Sequence, residues 1–133
     1  MIKSKELRKG NIIKCKVHLP IGFNQNKIYH SSILELRSDC VETNEGFYKY
    51  KDIDPMPLTE DILIRNGAEK RNDNELLFHS NDSDLPDLVL VKEEDKFYFG
   101  VEGNKYSVAI ESVHHFQNLY FAIKGRDIDI EID

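Results

Sequence analysis

The side chains best suited to chemistry lie in one stretch near the end of the 133-residue chain, SVHHFQNLYFAIKG, which runs from Ser112 to Gly125. Read as a helix at 100° per residue, the stretch has one broad apolar face and a second, mostly polar side. The second side follows i, i+3, i+4 and i+7 spacing and consists of His114, Gln117, Asn118 and Phe121. We call these four residues the helix stripe. An imidazole and two amides beside an aromatic ring are candidates to bind a ligand or a partner protein.

Two interpretations of the helix stripe stay open. In the one that we favour, the helix lies between the two halves of the protein, and its polar side chains satisfy buried backbone groups. In the other, His114 lies in a concave pocket beside Gln117 and Phe121 and serves ligand binding or catalysis. His115 points about 100° away from His114, at the border of the helical core face. That face comprises Val113, Phe116, Leu119, Tyr120 and Ile123.

The residue spacing predicts neither a metal site nor an enzyme. Two helical ligands of one metal need i, i+4 spacing, which His114 and His115 lack. Cys15 and Cys40 lie in strand-like runs without matching cysteine or histidine spacing, so we predict buried thiols. The sequence contains no nucleophile elbow, phosphate-binding loop or dinucleotide fingerprint. We therefore expect no catalytic residues, no cofactor and no metal.

A second candidate surface lies in the run FYKYK. Alternation along a strand places Phe47, Lys49 and Lys51 on one face and Tyr48 and Tyr50 on the other. An exposed aromatic ring among basic residues is the composition of single-stranded nucleic-acid sites. The competing interpretation is a strand with tyrosines toward the core and lysines toward solvent.

The charge distribution disfavours nucleic acid as the main partner. The formal net charge is −6, although residues 1–16 carry six basic residues against Glu6 alone. An acidic bulk surface repels phosphate. No apolar run reaches the ~20 residues that span a membrane, and the start of the chain lacks a secretory apolar segment. These features predict a cytoplasmic protein that does not bind membranes.

The element pattern predicts an α+β fold in two subdomains. Residues 1–57 read as closely spaced short strands and are expected to form a small SH3-like β-barrel. A Pro-rich connector follows, with a short helix that Thr59 caps and Asn66-Gly67 ends. In residues 58–133 we expect an antiparallel β-meander packed on the longer helix. The alternating DIDIEID tail is expected to form a closing strand.

Three stretches carry a resemblance to a known family. They are ELRKGN near the start, DIDPMPLTEDIL at the predicted boundary and VHHFQNLYFAIKG in the helix. The chain resembles a family of small uncharacterised proteins of Bacteroidetes, their phages and mobile elements. The shared motifs are ELRxGN, IxPxPLTE and VHxxQNLYFAxxG. His114, Gln117, Asn118, Tyr120 and Gly125 match the last motif, whereas His115 stands where the family has glutamine and Phe116 where it has leucine. The resemblance implies a genomic setting and supplies no catalytic residues.

The function that we expect is a non-enzymatic binding module. In the setting that the resemblance implies, it is an accessory protein of a phage or mobile element that acts on a host or phage protein, and counter-defence is one specific form. The alternatives are a nucleic-acid-binding small barrel and a small-molecule binder or enzyme that uses His114. A homo-oligomer with Phe121 or the terminal strand at its interface is also left open.

Overall fold

The computed structural model describes residues 4–17, 27–79, 87–101, 104–105 and 109–132. The chain divides into two compact units. Unit 1 contains Met1–Pro57 and Ser112–Asp129, and unit 2 contains Leu58–Glu111 and Ile130–Asp133. The described part of the chain is built mostly from strands in two antiparallel sheets, with two α-helices, so the predicted α+β class is confirmed.

Unit 1 contains a five-stranded antiparallel sheet in the order β4-β3-β2-β1-β5. Short 3-10 turns at Ser4–Glu6 and Tyr50–Asp52 precede β1 and β5. The strands are β1 (Ile12–Val17), β2 (Lys27–Leu36), β3 (Cys40–Thr43), β4 (Gly46–Lys49) and β5 (Ile53–Pro55).

The core of unit 1 follows the alternation of its strands. Side chains of alternating positions pack together on one side of the sheet, where Leu36, Tyr48 and Tyr50 border the fully buried cluster. Gly46, with φ +124°, closes the turn between β3 and β4 in a conformation that favours glycine. The cluster consists of Leu7, Ile13, Cys15, Ile33, Val41 and Ile53.

The longer helix, α2 (Val113–Lys124), belongs to unit 1 and contacts β1. The sequence places this helix with the second half of the chain, so this part of the predicted arrangement differs from the structure. The apolar pattern of a helix indicates which side is buried but does not identify the strands that cover it.

The buried side of α2 also differs from the predicted core face. Val113 and Phe116 are fully buried as expected, but the other buried residues are His114, Gln117 and Lys124. Leu119, Tyr120 and Ile123 are only half-buried. The prediction is wrong on this point because it counted only apolar residues toward the buried side, whereas the hydrogen bonds of Gln117 to backbone groups allow this polar side chain to lie inside.

Unit 2 contains a second antiparallel sheet, in the order β10-β9-β8-β7-β6. The antiparallel meander predicted for residues 58–133 is confirmed: β6 turns at Asp73-Asn74 into β7, and β8 and β9 follow as antiparallel neighbours. Alternation in β7 directs Leu76 and Phe78 inward. The strands are β6 (Glu69–Asn72), β7 (Glu75–Phe78), β8 (Leu88–Glu93), β9 (Lys96–Val101) and β10 (Asn104–Lys105).

The short helix α1 (Glu60–Arg65) has the predicted ends. The Oγ1 atom of Thr59 accepts a hydrogen bond from the Ile62 N–H at 3.2 Å, which satisfies a backbone donor of the first turn. Asn66 occupies the C-cap. The acidic residues Glu60 and Asp61 lie in the first turn, where the helix dipole favours negative charge.

The C-terminal segment is not a strand through Ile132, so the predicted closing strand is wrong. Ile130 is buried and its acidic neighbours are exposed, as the alternation indicated. In place of a β-ladder, the backbone of this segment forms hydrogen bonds with side chains of unit 2. The Glu131 N–H donates to Asn66 Oδ1 at 2.7 Å, and Arg65 Nη1 donates to the Ile132 carbonyl.

Candidate functional site

The helix stripe is positioned by the two ends of α2. The Oγ atom of Ser112 accepts a hydrogen bond from the His115 N–H at 3.2 Å and caps the first turn. Gly125 ends the helix with φ +73°, and its N–H donates to the Phe121 carbonyl. Between these ends the helix is regular over 12 residues, so the four stripe residues lie along one side.

Gln117 uses both ends of its amide inside unit 1. Its Oε1 atom accepts a hydrogen bond from the Ile12 N–H at 2.8 Å. Its Nε2 atom donates to the carbonyls of Gly10, at 2.9 Å, and Ile128, at 3.3 Å. The side chain is only 5% exposed, so one buried amide satisfies three backbone groups.

Asn118 continues the same set of contacts. Its Oδ1 atom accepts a hydrogen bond from Asn11 Nδ2 at 2.9 Å, and its Nδ2 atom donates to the Glu6 carbonyl at 2.7 Å. Asn11 is itself buried, and its Oδ1 accepts a hydrogen bond from the Arg8 N–H at 2.6 Å. The two asparagines therefore form a side-chain bridge between α2 and the segment before β1.

Phe121 is covered by Arg8. The guanidinium carbon lies 3.7 Å from the centre of the Phe121 ring, which is cation–π geometry. Arg8 Nη2 also lies 3.3 Å from Asp127 Oδ1. The guanidinium shields part of the ring from solvent, and Phe121 remains 38% exposed.

His114 is 5% exposed and lies next to Glu6. Its Nε2 atom is 4.0 Å from Glu6 Oε2, and its buried Nδ1 atom has no hydrogen-bond partner among the described residues. Burial lowers the pKa of His114, an effect that the Glu6 carboxylate opposes and His115 reinforces. The imidazole is therefore neutral at pH 7.

All four stripe residues thus contact one short segment, residues 6–12, which we call the N-terminal segment. Glu6, Arg8 and Asn11 were not among the sequence-predicted site residues, although ELRKGN contains all three. A cavity of about 80 Å³ lies beside Gln117, Gly10 and Ile128. It is far smaller than the roughly 300–1,000 Å³ of small-molecule sites. As ligand- or partner-binding residues the stripe residues stay a prediction.

The second candidate surface is the outer side of β4, where the alternation of Phe47, Tyr48 and Lys49 is as predicted. The predicted strand does not extend to Tyr50 and Lys51, because β4 ends at Lys49 and these two residues lie in the 3-10 turn Tyr50–Asp52. Phe47 is 62% exposed and Lys49 and Lys51 are exposed, whereas Tyr48 and Tyr50 pack against the core of unit 1. The inward tyrosines match the competing interpretation, but Phe47 is an aromatic side chain that points outward. Its role in binding nucleic acid stays a prediction.

Charged side chains surround Phe47. The guanidinium carbon of Arg37 lies 5.5 Å from the ring centre, and Arg37 Nη2 lies 3.6 Å from Glu42 Oε1. Glu42 is directly opposite Phe47 in the β3–β4 register. Leu34, on β2 of the same sheet, is 46% exposed. We call Leu34, Arg37, Glu42, Phe47 and Lys49 the outer face of unit 1.

The cysteines do not supply a reactive thiolate. Cys15 is fully buried, and burial, with a smaller effect of Glu45, raises the pKa of its thiol to about 11. Cys40 is half-buried rather than buried as predicted, and burial also raises the pKa of its thiol. Both are free thiols.

An acidic concavity in unit 2 lies between the turns after β6 and β8. Its wall includes Asp73, Glu75, Glu93 and Asp95. Among the residues that the structure describes, no group of three or more His, Cys, Asp or Glu side chains has the arrangement of a metal site.

No protein-family model, curated protein or solved structure matches the chain. Within the described ranges, no helix has both the length and the apolar character needed to cross a membrane.

Proposed function

We propose that the chain is a non-enzymatic protein-binding module and that the outer face of unit 1 is its binding surface. The exposure of Phe47 carries this proposal. A phenylalanine that is 62% exposed on a regular strand, with Leu34 exposed on the same sheet, is a typical anchor for a partner protein. The sequence motifs support the setting, an accessory protein of a phage or mobile element that acts on a host or phage protein.

Unit 1 is proposed to be an SH3-like barrel. The strand order β4-β3-β2-β1-β5 supports this, because it is a meander whose fifth strand returns to pair with the first. The 3-10 turn at Tyr50–Asp52, between β4 and β5, bends the chain back toward β1. In small barrels of this kind the function depends on exposed side chains and loops rather than on the fold.

The helix stripe contributes to this function indirectly in our proposal. Its two amides and its aromatic ring are engaged by the N-terminal segment, so they hold β1 and α2 together. A small molecule at His114 would have to displace these contacts. Such displacement leaves buried backbone groups unpaired, which disfavours a ligand-binding or catalytic role for the stripe.

Nucleic-acid binding is the second candidate function. The observation in its favour is that Lys49 and Phe47 share one exposed face, with Lys51 exposed nearby. Glu42 opposite Phe47 and the net charge of −6 weigh against it, because both repel phosphate. Binding of short single-stranded DNA or RNA at low salt, weakening as salt rises, would favour this function over the first.

Affinity capture with matched variants tests the proposed function. Tagged wild-type protein, Phe47→Ala and Ile64→Ala are used to capture proteins from host cells with and without infection. Ile64, 43% exposed on α1 in unit 2, is the control for loss of an exposed apolar side chain. We expect a captured protein that the wild type and Ile64→Ala retain and Phe47→Ala loses. Equal capture by all three proteins would contradict the proposed surface.

A further inference from the structure

The outer edge of β4 is open in the described part of the chain. β4 is the terminal strand of the unit 1 sheet and pairs only with β3 there. The Cys40 carbonyl accepts a hydrogen bond from the Arg37 N–H, so Cys40 directs its backbone groups toward β2. Its partner Lys49 is therefore at a non-hydrogen-bonded position of the β3–β4 pair.

Phe47 is also at a non-hydrogen-bonded position, because such positions alternate along an antiparallel ladder. Residues two apart in a strand direct their backbone groups to the same side, so the N–H and C=O of Phe47 and the N–H of Lys49 point away from β3. The Lys49 carbonyl accepts the first hydrogen bond of the 3-10 turn at Tyr50–Asp52, because Lys49 is the N-cap of that turn. The other three groups form an open edge of the kind that an added strand can pair with. The side chains of the same two residues lie on the exposed outer face.

The charged side chains near this edge indicate the charge of the segment that would bind there. Arg37 pairs with Glu42, and Lys9 pairs with Glu35 at 3.1 Å, so these basic groups are compensated. Lys49 and Lys51 have no acidic partner among the described residues. A complementary segment would therefore be acidic, with an apolar side chain for Phe47.

We propose that the outer edge of β4 binds an extended segment of a partner protein as an added strand. The segment places an acidic side chain opposite Lys49 and an apolar side chain opposite Phe47. This inference rests on the proposed protein-binding function and specifies its mode, which is β-strand addition. Main-chain hydrogen bonds provide affinity in this mode, and alternate side chains provide specificity.

The open edge favours a peptide over a nucleic acid as the occupant. A nucleic acid has no regular array of N–H and C=O groups to pair with the three edge groups of Phe47 and Lys49. Single-stranded sites also use several aromatic platforms in succession, whereas Tyr48 and Tyr50 face the core. One exposed ring beside an open strand edge is the pattern that a peptide strand fits.

Peptide binding by the full chain tests the mode directly. The probes are the fluorescein-labelled peptides SETFTES and SKTFTKS, in which the second, fourth and sixth side chains share one face of the strand, together with SETFTES methylated on the backbone nitrogens of those three residues. Fluorescence anisotropy should show binding of SETFTES, weaker binding of SKTFTKS and loss of binding on methylation, because methylation removes the donors of the added strand. Binding of the methylated peptide as tightly as the parent would overturn strand addition.

Charge-reversal variants test the specificity. Lys49→Glu with Lys51→Glu should weaken SETFTES binding about tenfold, since each attraction becomes a repulsion. Arg71→Glu with Arg126→Glu changes the net charge equally at exposed positions elsewhere and should leave binding unchanged. Equal loss in both double variants would show a general charge effect and overturn the specific edge.

Two further outcomes separate this inference from the proposed function. A fluorescein-labelled (dT)12 strand that binds through Phe47 more tightly than SETFTES would overturn the inference in favour of nucleic acid. Failure of every peptide, together with Phe47-dependent capture of a protein, would overturn strand addition while leaving the protein-binding function in place.

Discussion

Gln117 accepts a hydrogen bond from the backbone N–H of Ile12 at 2.8 Å, although the two residues are 105 positions apart in the sequence. The first residue of β1 is thereby fixed to the middle of α2. Because the same amide also binds the Gly10 and Ile128 carbonyls, it connects three separate backbone segments of unit 1. The folding of this unit therefore depends on a polar contact between the two ends of the chain.

Replacing Gln117 with leucine should strongly destabilise the protein. The variant leaves the Ile12 N–H and the Gly10 carbonyl buried without partners, at about 1–3 kcal/mol for each group. We expect a loss of about 2–4 kcal/mol in the free energy of unfolding, measured by urea denaturation. Asn118→Ala, at a half-exposed site where water can replace the amide, should cost less. Equal stability of Gln117→Leu and wild type would refute the structural role of the stripe.

Mild acid should destabilise the fold through His114. Because burial lowers the pKa of His114, the unfolded state takes up the proton first as the pH falls. Its contribution is complete above the unfolded-state pKa of about 6.5 and is lost as the pH falls toward the lower folded-state pKa. The contribution of His114 to the free energy of unfolding, obtained as the difference between wild type and His114→Leu at pH 7.5 and 5.5, should therefore decrease on acidification, whereas the contribution of His79 has the opposite sign.

The variant His114→Leu isolates this effect. It should show a smaller decrease between the two pH values than the wild type. His115→Leu should retain most of the wild-type decrease, because His114 is still present and loses only the smaller effect of its neighbour. Glu6→Gln should enlarge the decrease, since the Glu6 carboxylate supports protonation of His114. An unchanged pH dependence in His114→Leu would assign the acid sensitivity to other groups.

The contact between Arg8 and Phe121 should show coupling in a double-mutant cycle. A guanidinium stacked at 3.7 Å on a partly exposed ring is expected to contribute about 0.5–1 kcal/mol. We expect Arg8→Ala and Phe121→Ala to be less than additive by this amount in unfolding free energy. Arg8→Lys keeps the charge toward Asp127 but loses the planar group, so it should retain only part of this coupling free energy. Strict additivity would mean that the stacking contributes nothing.

In unit 2, His79 should titrate above the ordinary range of histidine. A hydrogen bond with Glu69 raises the pKa of His79, and Asp87, at 3.6 Å from Nδ1, adds to the effect. A folded-state pKa above the unfolded value means that the contribution to stability is present at low pH and is lost as the pH rises through it. NMR titration of the imidazole should show this pKa, and Glu69→Gln should lower it. No change in Glu69→Gln would contradict the pairing.

Local signals in the sequence predicted most elements of the fold. Thr59 and Asn66-Gly67 mark the two ends of α1 by capping chemistry, and Gly46 lies at the β3–β4 turn, where its backbone freedom is needed. These features depend on a few neighbouring residues, so a sequence reveals them. The alternation of Phe47 and Tyr48 along β4 was predictable for the same reason.

The partners of the helix stripe could not be predicted in this way. Nothing in the local sequence of α2 indicates that Gln117 binds Gly10 and Ile12, because that contact is set by the tertiary arrangement. The predicted closing strand failed because Asn66 and Arg65 bind the backbone of the terminal segment. Long-range polar contacts of this kind produce no periodic pattern in the amino-acid sequence.

Site-specific photocrosslinking in host cells tests the central claim, that partners bind the outer face of unit 1 and not the helix stripe. p-Benzoylphenylalanine replaces Phe47 in one variant and Phe121, also partly exposed, in the other. Irradiation should yield a protein adduct from position 47 and none from position 121. An adduct from position 121 with none from position 47 would contradict the claim and return the binding site to the helix.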